Sequence, residues 1–112
     1  MKQVPIGEDQ KVRHLKKAIR VLCGRWQFLV LCRLNEPLRF GVLRRMMPDI
    51  SEKMLIQTLR LLEKYELISR HDFGENPPRV EYVITERGMR ALKIVPILKE
   101  VILPDEVILA EQ

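Results

Sequence analysis

Apolar positions recur at helical spacing from early in the chain. A short polar stretch with Pro5 (residues 1–7) reads as a frayed arm. Beyond it, Val12, Leu15, Ile19 and Leu22 fall at i, i+3, i+7 and i+10. That spacing predicts one face of a helix over 8–23, with Glu8 and Asp9 at its electropositive end. Gly24 interrupts the pattern. The run RWQFLVLCRLN (25–35) is apolar nearly all round except for Gln27 and Arg33, which predicts a central helix buried on most sides. Glu36-Pro37 stops it, and Pro37-Leu38-Arg39 has room only for a connector or a stub strand. FGVLRRMM (40–47) predicts a short helix with Phe40, Leu43 and Met47 inward and Arg44 and Arg45 outward. Pro48 ends it.

A second helix follows at once. Ser51 is placed to accept an orphan backbone N–H as N-cap, and Glu52 lies in the first turn. Over 52–66, Leu55, Leu59 and Leu62 share one face, while Lys53, Gln57, Arg60 and Lys64 repeat at +4, +3 and +4 on another. Beyond Leu67 the period changes. Residues 68–73 form a plausible strand, and Val80, Tyr82 and Ile84 alternate along a better one over 80–85. The turn-forming stretch GENPPR (74–79) joins them into a β-hairpin. Thr85 caps a last helix, 86–103, carrying Met89, Leu92 and Val95. Pro96 should kink it and Pro104 end it. The expected fold is therefore mainly α with a small β-hairpin, one domain over 1–112. Two short helices joined by a tight turn (40–66) and a hairpin (67–85) make a winged helix-turn-helix with an extra helix at each end.

Composition narrows the partners. The chain has 112 residues, 46% hydrophobic and 31% charged, which suits a folded single domain rather than disorder. Its net charge of +5 is unevenly spread. Residues 100–112 hold Glu100, Asp105, Glu106 and Glu111 and no base, so 20 bases face 11 acids in residues 1–99, a balance of +9. Nucleic acid is the first partner such a body suggests, and an anionic membrane surface the second. The longest uncharged run, Trp26 to Cys32, is seven residues, against the roughly 18 of a membrane span. With no signal-peptide core either, a cytoplasmic protein without a membrane partner is expected.

Enzyme chemistry finds little support. The two His and two Ser (His14, His71, Ser51, Ser69) form no nucleophile motif, and there is no GxGxxG, GxxxxGK[ST], HExxH or CxxC. No cofactor or metal is expected. Cys23 and Cys32 sit in apolar helical sequence and read as packed thiols, with Cys32 the more shielded. Trp26 reads as core filler, His71 as an exposed hairpin residue, and the stripe Arg13, Lys17, Arg20 as a solvated face.

The 52–66 helix is the exception. A recognition helix buries one face and offers donors on the other. Ser51 and the free N–H groups of the first turn suit a phosphate. Lys53 suits guanine O6/N7 and Gln57 adenine N6/N7. Arg60 and Lys64 suit phosphates, with Arg44 and Arg45 flanking from the preceding helix. Asn76 and Arg79, in the hairpin loop, suit phosphate contact or a narrow minor groove.

These residues also carry a resemblance. Gly24 to Leu92 resembles the HxlR family of winged helix-turn-helix transcriptional regulators. The matching segments are GRW (24–26), LRFGVLRRMMPDISEKMLIQTLRLLEKYELISR (38–70), PPRVEYVITERG (77–88) and Leu92. The resemblance implies a homodimeric DNA-binding regulator with the terminal helices, 8–23 and 86–103, at the dimer interface. Val12, Leu15, Ile19, Leu22, Ile97, Leu98, Val101 and Ile102 are its expected contacts. The DNA-binding set is Arg39, Arg44, Arg45, Ser51, Lys53, Gln57, Arg60, Asn76 and Arg79, acting on double-stranded DNA at a pseudo-palindromic operator. Arg13-His14 stand where many members carry a Cys-Pro pair, so the redox-active cysteine of the sensing members is absent. The rival reading is a winged-helix protein-interaction module without specific DNA binding.

Overall fold

The structure, a computed structural model, describes residues 6–105. Most of the expected N-terminal arm (1–5) and most of the acidic tail (106–112) lie outside the described residues. The elements run α1 (Ile6–Leu22), α2 (Gln27–Arg33), β1 (Leu38–Arg39), α3 (Phe40–Met46), α4 (Glu52–Lys64), β2 (Ile68–Asp72), β3 (Val80–Ile84), α5 (Glu86–Leu92) and α6 (Ile94–Ile102). The architecture is a winged helix with a terminal helix added on either side. Among the described residues no helix is long and apolar enough to cross a membrane.

Local chemistry explains most boundaries. Pro48 follows Met47, the C-cap of α3. Ser51, in extended conformation, accepts from the Met54 N–H at 3.1 Å and so starts α4. Thr85 does the same for α5, accepting from the Gly88 N–H at 3.1 Å, while its hydroxyl donates to the Glu66 carbonyl at 2.6 Å. Glu66 itself has φ 60°, the left-handed turn that lets the chain leave α4 for β2.

The wing departs from a simple hairpin. The stub at Leu38–Arg39 joins it, giving a three-stranded antiparallel sheet of order β1-β3-β2. Leu38 lies opposite Tyr82 and Arg39 opposite Glu81, while Ile68 to Asp72 pair with Ile84 to Val80. Two residues suffice because β3 would otherwise be an edge with unpaired amides.

The core is aliphatic, as the scarcity of aromatics requires. Leu31, Leu34, Leu43, Ile50, Leu55, Leu59, Leu62 and Ile68 are fully buried at its centre. Phe40 and Trp26 pack against its margin. The Leu34 carbonyl accepts from the Ile84 N–H at 2.9 Å and ties α2 to the sheet.

Two expectations need correction. The helix read over 25–35 is shorter and is not buried on most sides. Gln27, Val30, Leu31 and Leu34 fill its inward stripe, which at 3.6 residues per turn leaves Leu29, Cys32 and Arg33 facing outward. Cys32 is consequently exposed, as is Cys23, and neither is a packed thiol. The single kinked helix over 86–103 is instead two helices broken at Lys93. Pro96 supplies no N–H for the Leu92 carbonyl and its ring crowds that turn, so the break falls a turn before the proline.

The terminal helices stand apart. Among the described side chains of α1 only Val21 is buried, and α6 buries none of its residues. The radius of gyration, 17.4 Å, exceeds the roughly 13 Å of a compact chain this long.

Candidate nucleic-acid interface

The two faces of α4 divide as the sequence predicts. Leu55, Thr58, Leu59 and Leu62 are buried, while Lys53, Gln57, Arg60 and Lys64 are exposed on the opposite stripe. From Lys53 to Lys64 the stripe runs about 16 Å at 1.5 Å per residue. Lys53, Gln57 and Arg60 border a shallow groove of about 470 Å³ along the outer face, with Glu52 and Ile56. Donors of two lengths therefore project together from a helix that the core holds rigidly from behind.

β1 and α3 carry further arginines. Arg39, exposed in β1, precedes the first turn of α3 in extended conformation. Arg45 is exposed on α3. Arg44 is half-buried, and its Nη1 donates to the Met47 carbonyl at 3.3 Å, closing the C-terminal end of that helix. Part of its donor set is thus occupied within the fold. Ser51 likewise has one lone pair taken by its cap, and the residue is exposed.

The wing loop is more structured than its composition suggests. The Phe73 N–H donates to the Arg79 carbonyl at 3.0 Å, and the Gly74 N–H to Asp72 Oδ1 at 2.9 Å, with Gly74 at φ +66°. The Arg79 guanidinium lies 4.0 Å from the centre of the Phe73 ring. Its Nε donates to Glu81 at 2.9 Å and its Nη1 to Glu75 at 3.4 Å. Arg79 therefore braces the loop from inside, its charge offset by two carboxylates. Asn76, by contrast, is exposed at the tip.

Sequence reasoning missed three side chains. Gln27 is buried: its Oε1 accepts from the Trp26 N–H and its Nε2 donates to the Arg20 carbonyl, both at 3.3 Å, joining α1 to α2. An internal Gln in an apolar run was the available signal. Tyr65 ends α4 beneath two ammonium groups, Lys17 at 5.2 Å and Lys64 at 5.6 Å from its ring centre. Partial burial pushes the Tyr65 phenol up, but Lys17, Lys64 and a hydrogen bond from Arg20 outweigh it, so its pKa lies below the usual 10.0. Arg87, at the start of α5, pairs with Glu66 at 3.7 Å. No local pattern marks Tyr65 or Arg87, because their partners Lys17 and Glu66 lie 48 and 21 residues away. Lys17 and Arg20 are accordingly more than the solvated stripe the sequence suggested.

Of the expected dimer contacts, Val12, Leu15 and Ile19 are half or more exposed, as are Val101 at 74% and Ile102 at 75%, with Ile97 and Leu98 beside them. Leu22 departs from that set. It is partly buried against the domain's own core, because its position on the helix wheel faces the Val21 side.

Residues 21–103 match the HxlR-like helix-turn-helix family. The chain belongs to that family. An HTH-type transcriptional regulator of Methanothermobacter thermautotrophicus is 41% identical over 96 residues, covering 85% of this chain and 73% of that protein. The regulator YkvN of Bacillus subtilis is 51% identical over 81 residues, covering 71% of this chain and 66% of its own. Among solved structures, the reduced form of the transcriptional regulator YodB from B. subtilis superposes with a TM-score of 0.70 at 31% identity, over 78% of this chain and 86% of that one. A transcriptional regulator from Porphyromonas gingivalis assigned to the MarR family gives 0.65 at 39% identity, over 78% and 83%. These relatives are transcriptional regulators, not enzymes. This HxlR-family chain shares their fold and their DNA-binding type of domain, and it is not an enzyme.

Proposed function

We propose that this HxlR-family chain is a sequence-specific transcriptional regulator that binds double-stranded DNA as a homodimer. Each copy sets α4 in a major groove of a pseudo-palindromic operator, with centres about 34 Å apart. Lys53 and Gln57 read base edges, and Arg60, Arg39, Arg45 and Ser51 hold phosphates. The wing loop 74–79 lies on the backbone or in the minor groove, with Asn76 as its outward contact and Arg79 as its brace. In cells of the kind its relatives come from, such a protein works in the cytoplasm, where the DNA lies.

The observation carrying this reading is the exposed stripe Lys53–Gln57–Arg60 on a helix whose other face is buried, with Arg39 and Arg45 also exposed on β1 and α3. The test is a titration of random duplex DNA at two salt concentrations. Electrostatic binding predicts that affinity falls steeply with salt, with a log–log slope of about −0.9 per phosphate neutralised. Absence of binding even at low salt contradicts the proposal and favours a protein-docking module.

A further inference from the structure

A groove of about 450 Å³ lies away from the α4 stripe, between α1, the α4–β2 turn and α5. Its floor is apolar: Ala18 and Leu22 from α1, Leu67 after the turn, and Ala91 from α5. Tyr65 forms one wall. Its polar lining is basic, with His14 and Lys17 on one lip and Arg87 on the other, and no carboxylate lines it among the described residues. An apolar trough of this size with a few convergent polar groups is ligand-sized.

The basic groups around it are not held by strong partners. Lys17 rests on the Tyr65 ring and forms no salt bridge among the described residues. Arg87 meets Glu66 only at 3.7 Å, and both side chains are more than half exposed. Such an exposed pair contributes little and exchanges readily. A bare apolar trough would suit a neutral partner equally. The lysine and arginine across its two lips select for charge.

From this geometry we infer that the groove binds a small organic carboxylate with an apolar body, the carboxylate bridging Lys17 and Arg87 and the body lying on Ala18, Leu67 and Ala91. The inference deepens the regulatory reading above and rests on it for its consequence. A carboxylate on Arg87 competes with Glu66, the left-handed residue between recognition helix and wing, and the body touches Tyr65 where α4 ends. Occupancy therefore sets the ligand against the turn that joins recognition helix and wing.

The experiment uses the full chain without DNA and three probes: octanoate, octanol and acetate, followed by calorimetric titration. Octanoate is expected to bind at least tenfold tighter than octanol, and acetate not to bind measurably. Lys17→Ala and Arg87→Ala each weaken octanoate about tenfold while leaving octanol unchanged. Ala18→Leu, on an exposed helical position, fills the trough and abolishes binding while circular dichroism stays that of the parent. Equal binding of octanoate and octanol overturns the inference, because charge would then play no part. No binding of any probe overturns it too, a second copy of the chain covering the groove being one cause. None of these readouts involves DNA, so a failure here is distinct from a failure of the DNA-binding proposal.

Discussion

At the scale of single residues, the α4 stripe faces outward, whereas the groups around Tyr65 and Arg79 are drawn into contacts within the fold. Lys53, Gln57 and Arg60 stand where helical spacing puts them, because a stripe opposite Leu55, Leu59 and Leu62 can only face out. Arg79 and Tyr65 are different. Composition marks Arg79 as a loop cation, and only the fold brings Glu75, Glu81 and Phe73 around it. Tyr65 yields the residue-scale prediction. Its phenol is held below 10.0 in the folded chain by Lys17 first among the bases, with Lys64 and Arg20 adding to it. The folded state then favours phenolate, so this group adds stability above the unfolded-state value and loses it as pH falls through the folded-state one. At neutral pH it contributes nothing. Phenolate absorbance followed against pH should show a component that vanishes in Tyr65→Phe and moves to higher pH in Lys17→Ala. A Tyr65 component in the native protein at or above that of the denatured chain would contradict the account.

The elements were legible where a chemical stop signal was local. Ser51, Thr85 and Pro48 each mark a boundary through one hydrogen bond or one missing donor, and those boundaries hold. The break at Lys93 was misplaced because a proline acts on the carbonyl four residues before it rather than at its own position. The third strand was visible only as a stub, since its pairing with β3 spans over forty residues. Packing between elements is tested by two glycines. A Cβ on Gly88, in α5, would meet the Leu67 carbonyl and the Ile84 side chain. Alanine's helix propensity, worth about 1 kcal/mol over glycine, cannot offset a backbone collision. Gly88→Ala should therefore destabilise by about 1–3 kcal/mol in urea unfolding. Gly41→Ala in α3 meets only the Arg45 Nη1, at an ordinary 3.7 Å, and should be neutral or stabilising by about 0.5–1 kcal/mol. Equal midpoints for the two variants would mean that α5 does not pack on β3 and the α4–β2 turn as described.

At the scale of the whole molecule, α1 and α6 give this chain its extended shape. Val12, Leu15 and Ile19 on one, and Ile97, Leu98, Val101 and Ile102 on the other, leave contiguous apolar surface uncovered, which an isolated soluble domain rarely tolerates. The proposed two-fold pairing through these helices would cover it and supply the two-fold symmetry that a pseudo-palindromic operator requires. The apolar stripes themselves, with Leu22 the exception, were legible from sequence alone. The groove between α1, Tyr65 and α5 was not legible, because it depends on the tertiary placement of Lys17 and Arg87.

The central claim, that α4 reads base edges, is tested most directly by Gln57→Ala on two DNAs. DNA selected from a random pool by the parent protein serves as the operator, and scrambled duplex of the same length as the control. Loss of a bidentate contact to adenine should cost about 1–3 kcal/mol on the selected DNA and leave the scrambled duplex and the salt slope unchanged. The same loss on both DNAs, or none on either, would contradict base reading by this helix.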